Sequence, residues 1–322
     1  MKFLLSIGFA AVYGLVLRLL FVSGNDLLQV MSVTFLFLVP MLIGFLTILL
    51  TPAEKTTSGT AAFFKPWLTS LVLLVVTIIF QIEGTICWIM VFPIFATFAG
   101  LGGVLAFKLR KSRTTDAGNN WQRPNTLNMS LLFVMPLALG LVEGEKASAP
   151  QELVIQREVT IPAPTAAVWQ ALTTSQRVSP HKRHTSLATL LGFPNHVATT
   201  LDTLVVGGKR MAYYEKGLYF EETVSQYQPE RLLALRINAN PDSIPAAVMD
   251  EHILIGGKHL DILEDIYEVK PLPNGSTRLT LSSRFYINTP FNWYAGVWAH
   301  YLMADILQSE LELIKKTASP RA

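Results

Sequence analysis

The chain of 322 residues has one cysteine, Cys87. A single thiol excludes an intrachain disulfide framework and a thiolate metal centre. Charge is scarce too: Asp, Glu, Lys and Arg make up 15% of the residues, against roughly 25% in ordinary soluble proteins, while 51% are hydrophobic. Familiar catalytic signatures are missing. There is no His-Glu-x-x-His pair, no Walker phosphate loop and no Gly-x-Ser-x-Gly elbow, which removes the usual marks of zinc peptidases, nucleotide hydrolases and serine hydrolases. Gly207-Gly208 and Gly256-Gly257 lack the strand and helix context of dinucleotide binding and read as turns. Nothing implies a cofactor or a metal.

What is present divides into two unlike halves. Up to Glu143 there are nine Lys and Arg and five Asp and Glu; from Gly144 onward there are seventeen and eighteen. The pI of about 8.9 therefore arises in loops between apolar segments and is not the footprint of a nucleic-acid partner. Five apolar segments occupy 3–22, 27–50, 67–82, 86–107 and 127–142. A bilayer span takes about 20 apolar residues. The first, second and fourth segments meet that length, and the third and fifth are short. The expectation is a helical membrane bundle of about five spans over 1–143, with one re-entrant hairpin as the alternative to a full pair.

Lys108, Arg110, Lys111, Arg113 and Arg123 crowd one loop, which marks it as cytoplasmic; Lys2, Lys55 and Lys65 then fall on the same side. Five spans place the N-terminus in the cytoplasm of a cell (inner) membrane protein and the second half outside it; an even number reverses the second placement. Arg18 interrupts the first segment, and no small-x-small cleavage pattern follows, so the segment reads as a retained helix. Arg18 is either a functional intramembrane charge or an interfacial one paired with Asp26. The spans show no acidic pair, His relay or broken-helix repeat, so ion-coupled transport has little support.

After a polar linker at 144–151, alternating apolar residues predict strands at 152–161, 209–215, 218–226, 231–238, 260–271 and 277–286. Lys216-Gly217 and Asn274-Gly275 supply hairpin turns. A helix opens at Pro164 or Thr165 and runs through Trp169 and Leu172, and a short one falls within 179–191. The last element is a helix from Asn292 to about Lys316. At about 100° per residue it gathers Ala299, Leu302, Met303, Ile306, Leu307, Leu311, Leu313 and Ile314 on one arc, opposite Asp305, Gln308, Glu312, Lys315 and Lys316. His300 and Glu310 fall in or at the edge of that arc.

The run VTIPAPTAAVWQALT, the strand pair around EKGLYFEETVSQYQPERLLAL and the long closing helix together resemble the START/polyketide-cyclase superfamily, the helix-grip fold. The resemblance covers 152–318 and implies an α+β domain: a curved antiparallel sheet around the closing helix. It further implies an apolar cavity that binds a lipid or other hydrophobic small molecule; some members are cyclases or dehydratases.

Two groups of residues are candidates for chemistry. Asp250, Glu251 and His252, followed by His259, Asp261, Glu264 and Asp265, place His and carboxylates near a turn, as acid–base work requires; the same residues also suit a solvated loop. His252, Asp250 and His300 are the catalytic candidates. Tyr213, Tyr219, His252, Tyr286, Trp298, His300, Leu302 and Ile306 are the expected ligand contacts, with Trp293, Tyr301 and Tyr267 adding aromatic area. The basic run His181-Lys182-Arg183-His184 is either a headgroup contact or a solvated loop. The expected output is sensing or transfer of the ligand by a membrane-anchored domain. The alternatives are a cyclase or dehydratase and a module that docks a protein partner.

Overall fold

The structure is a computed structural model and describes residues 2–23, 32–80, 82–83, 85–116, 126–143, 150–179, 186–241 and 254–319. The chain divides into two compact units, Met1–Ser148 and Ala149–Ala322.

The first unit is helical: α1 (Lys2–Ser23), α2 (Val39–Leu50, entered through a π turn at Thr34–Leu38), α3 (Gly59–Ile79), α4 (Thr85–Asp116) and α5 (Thr126–Glu143). Three helices, Lys2–Phe21, Gly59–Ile79 and Ile86–Lys111, are long and apolar enough to cross a membrane. The expectation of five spans is corrected to these three among the described residues. The described helix of the second segment is Thr34–Leu50; residues 27–31 lie outside the described residues, and the Glu143 carboxylate accepts from the amides of Val33 and Thr34 (2.5 and 2.9 Å) at its start. The third segment gains length because Ser58 Oγ accepts from Ala61 N (3.1 Å), an N-cap nine residues before the apolar run at Trp67. The fifth stays short, its apolar part covering Val134–Glu143.

Small residues let α2 and α4 cross closely: a Cβ on Gly44 or on Gly102 would lie 1.8 Å from the carbonyl oxygen of Ala99 or Met41. Such backbone approach is the usual basis of helix association in lipid. Arg18 pairs with Glu83, both side chains nearly buried; Asp26 lies outside the described residues. Arg110 donates to the carbonyls of Ile48 and Leu49, closing the C-terminal end of α2.

The second unit is one eight-stranded antiparallel sheet with three helices. Its strands are β1 (Gln151–Ile161), β2 (Gln176–Arg177), β3 (His196–Leu201), β4 (Lys209–Tyr214), β5 (Tyr219–Gln228), β6 (Leu232–Asn238), β7 (Leu260–Pro271) and β8 (Thr277–Ile287), in the order β1-β8-β7-β6-β5-β4-β3-β2. The helices are α6 (Thr165–Thr173), α7 (Leu187–Leu190) and α8 (Asn292–Ala318). Alternation dictates one buried face. Phe220, Glu222 and Val224 turn inward from β5, Leu233, Leu235 and Ile237 from β6, and Leu279, Leu281, Ser283, Phe285 and Ile287 from β8. Against this face α8 sets Met303, Ala304, Leu307, Leu311 and Ile314. Each large apolar side chain buried here contributes about 1.5–3 kcal/mol relative to exposure. Lys216 and Gly217 both take positive φ (59° and 81°), as the tight turn between β4 and β5 requires.

Candidate functional site

A cavity of about 100 Å³ lies between the inner face of the sheet and the C-terminal half of α8, roofed by α7. Phe193, Pro194, Leu281, Ile306, Leu307 and Leu313 give it apolar walls. The same walls carry His196, Arg210, Glu222, Asp265 and Glu310, which the strand register brings together.

Arg210 on β4 lies directly opposite Glu222 on β5. Both point inward, and Arg210 Nη1 donates to Glu222 Oε2 at 2.5 Å. The second guanidinium nitrogen, Nη2, is 3.9 Å from Glu310 Oε1 on α8, and the group lies 6.0 Å from the centre of the Tyr267 ring. The other carboxylate oxygen of Glu310 accepts from His196 Nδ1 at 3.1 Å. His196 Nε2 meets the carbonyl oxygen of Ala198 at 3.2 Å. Thr199 Oγ1 lies nearer to Nε2, at 2.9 Å, and a hydroxyl both donates and accepts, so these partners suit a neutral ring as well as a charged one. Its stack on Tyr214, with centroids 5.2 Å apart, fixes the plane.

Protonation follows from these contacts. Burial works against the charge on His196, yet the neighbouring Glu310 outweighs it and raises the imidazole above its ordinary range. Burial would lift Glu310, but His196 and Arg210 hold it below the usual carboxylate range. Burial raises Glu222 even with Arg210 beside it, and pushes Asp265 up to about 7. Burial also keeps the phenols of Tyr214 and Tyr267 neutral. Arg210 and His196 thus face the carboxylates of Glu222 and Glu310, and Asp265 is left as the acid that titrates near neutrality. Asp265 Oδ1 and Arg210 Nε are buried without hydrogen-bond partners. Such groups are costly in an apolar wall and are the natural contacts for a polar end of a ligand.

The residues singled out from the sequence fall differently. Ile306 lines the cavity and Asp265 supplies its acid. Glu310, noted only at the edge of the helix arc, is a central member. Asp250, Glu251, His252 and the run 181–184 lie outside the described residues. His300 is exposed on α8 and is not among the residues lining the cavity; it lies three residues after the exposed Val297 and seven after the exposed Trp293. Tyr213 and Tyr219 pair across strands with centroids 6.4 Å apart on the outer face of the sheet, because their neighbours Ala212 and Phe220 take the inner one. Tyr286 donates to the Gly257 carbonyl at 3.2 Å. Leu302 and Trp298 are half-buried and do not line the cavity. Trp293 and Tyr301 are exposed. Among the described residues no group of His, Cys, Asp and Glu is arranged to hold a metal ion.

A curved antiparallel sheet closed by a long C-terminal helix, with a cavity between them, defines the helix-grip class. The polyketide cyclase / dehydrase and lipid transport family matches residues 152–319, just over half of the chain, and the chain belongs to that family. Solved structures with the same kind of domain include a truncated norcoclaurine synthase from Thalictrum flavum, 14% identical, covering 54% of this chain and 98% of that one, with a TM-score of 0.34. They also include the Zhui aromatase/cyclase from Streptomyces sp. R1128 (15% identical, 52% and 94% covered, TM-score 0.32). A third is protein Ms6760 from Mycobacterium smegmatis (15% identical, 53% and 93% covered, TM-score 0.31). No curated protein matches the chain.

Proposed function

We propose that the C-terminal unit binds a small, largely apolar molecule with one polar end, and that the N-terminal helices anchor this domain at a membrane. The observation that carries the reading is a cavity with apolar walls whose lining includes Asp265 and Arg210, with Asp265 Oδ1 and Arg210 Nε buried and unpartnered. A hydroxyl or carbonyl at the end of the ligand satisfies both groups, while apolar burial supplies the rest at roughly 25 cal/mol per Å². Size narrows the class. About 100 Å³ is smaller than the pockets of roughly 300–1,000 Å³ that hold drug-sized ligands. The occupant that fits this volume is a ring-sized molecule or the head of a longer one, and sensing or transfer of a full lipid requires the cavity to widen.

The test compares molecules that co-purify with the full chain and with Ala212→Leu, which fills the cavity from β4. Native mass spectrometry followed by denaturing release is expected to find one compound in fixed stoichiometry with the wild type and to lose it in the variant. Equal retention by both would assign the compound to the apolar helices and defeat the reading.

A second reading, a cyclase or dehydratase, has its own support in Asp265, an acid poised near 7 at the cavity wall. Asp265→Asn separates the two. Retained ligand with unchanged composition supports binding alone, whereas accumulation of an unconverted precursor supports catalysis. For orientation, the basic residues from Lys108 to Arg113 favour the cytoplasmic side; if the shorter helix α5 also crosses, the domain lies outside the cytoplasm.

A further inference from the structure

The first half of α8 takes no part in the cavity, whose lining on this helix begins at Ile306. It carries a stripe of exposed apolar and aromatic side chains: Trp293, Val297 and Tyr301 are 67, 52 and 63% exposed. Their spacing of four residues keeps them on one face. Past Tyr301 that face becomes covered at Ala304, next to Asp305, whose carboxylate accepts from Ala188 N of α7 at 2.8 Å. Soluble surfaces scatter such residues singly; an aligned row calls for an occupant.

The fold fixes where this row lies relative to the chain's entry into the domain. Gln151, the first residue of β1, pairs with Ile287, the last of β8. Asn292 opens α8 five residues later. Entry point and stripe therefore share one end of the domain, while the β7–β8 turn, eleven residues of β8 away, is about 35 Å off at about 3.3 Å per residue. Only residues 144–150 separate Glu143 of α5 from β1, and seven extended residues reach at most about 25 Å. We infer that the Trp293–Val297–Tyr301 face of α8 rests on the bilayer surface to which the domain is tethered, with the aromatic rings at headgroup depth. This inference rests on the membrane reading of the N-terminal unit.

Two chemical arguments favour lipid over protein. Trp and Tyr have an apolar body and a polar tip, which suits them to the interface between hydrocarbon and water. The row is also too small for a stable homodimer: scaled by their exposure, two aromatics of about 150–250 Å² each and a valine offer about 300–400 Å² per protomer, against the roughly 800 Å² per partner that specific interfaces bury.

The experiment uses the full chain in phosphatidylcholine vesicles, with Cys87→Ser as background and a nitroxide at one new cysteine. Val297→Cys reports the stripe, Lys270→Cys the far end of the domain, and Leu71→Cys the exposed side of α3. Collision rates with oxygen, which concentrates in lipid, are compared with those of a water-soluble nickel chelate. Oxygen is expected to exceed nickel severalfold at positions 297 and 71, and nickel to dominate at 270. Adding Trp293→Ser and Tyr301→Ser to Val297→Cys is expected to bring the two rates at 297 towards equality. Nickel dominance at 297 with oxygen dominance at 71 overturns the docking face alone. Shielding of 297 from both reagents also overturns it, in favour of a protein neighbour. Nickel dominance at 71 removes the membrane reading and the docking face with it.

Discussion

Replacing Arg210 leaves Glu222 buried without its ion-pair partner and takes a cation away from Glu310. Loss of one member of a buried pair costs about 3–5 kcal/mol, whereas replacing both members by apolar groups of similar volume is often neutral. Arg210→Met is therefore expected to lower the unfolding free energy of the C-terminal unit by about that amount, and Arg210→Met with Glu222→Leu to recover most of it; urea unfolding checks both. Proton linkage adds a second test. The raised imidazole of His196 contributes stability that is complete below its unfolded value of about 6.5 and is lost as pH rises through the higher folded value. Asp265 acts in the same direction: the folded state keeps its proton up to about 7 while the unfolded chain releases it near 3.9, so stability falls across that window as pH rises. Asp265→Asn should flatten the decline in melting temperature between about pH 4 and 7, and His196→Gln should flatten it above about 6.5. An unchanged profile in both variants would show that neither group titrates as its surroundings dictate.

Among elements, the closest approach is that of α2 and α4. With carbonyl oxygens where a Cβ at Gly44 or Gly102 belongs, a larger residue must push the helix backbones apart. Gly102→Val is expected to destabilise the helical unit by about 1–3 kcal/mol or more, seen as a lower melting temperature in detergent, while Gly8→Ala, with open space around its Cβ position, serves as the unaffected control. Elements were also what the sequence showed best. Six strands and the closing helix appear close to their observed bounds because alternation and helical phase survive in any context that buries one face. β3 was missed: HVATTL has few apolar residues, and its place in the sheet depends on pairing with β4. With it went His196. Arg210 and Glu222 were legible in principle, since each occupies the inward position between apolar neighbours on its strand. Their facing one another depends on register, which no local pattern contains. The chain around His252 and Asp250 drew attention through residue type alone, and residue type says nothing about which face is buried.

For the whole molecule, the membrane reading proposed above makes a prediction about the side on which the C-terminal unit lies. α5 has 18 residues, about 27 Å of helix against a hydrocarbon core of about 30 Å, enough for a crossing only with modest thinning of the bilayer. With Cys87→Ser and Lys270→Cys, a membrane-impermeant maleimide is expected to label intact cells. Labelling only after permeabilisation would put the unit in the cytoplasm and show that α5 returns without crossing.

The pairing of β1 with β8 has one more consequence. The first strand of the C-terminal unit has its main partner more than a hundred residues later, from Ile161 with Thr277 to Gln151 with Ile287, and α8 follows only after that. Contacts so distant along the chain are slow to form. During synthesis β1 emerges early and stays an unpaired edge, open to mispairing, until β8 has been made. The domain therefore completes its sheet late, and on the membrane reading proposed above a chain threaded through a bilayer can cross before it has folded.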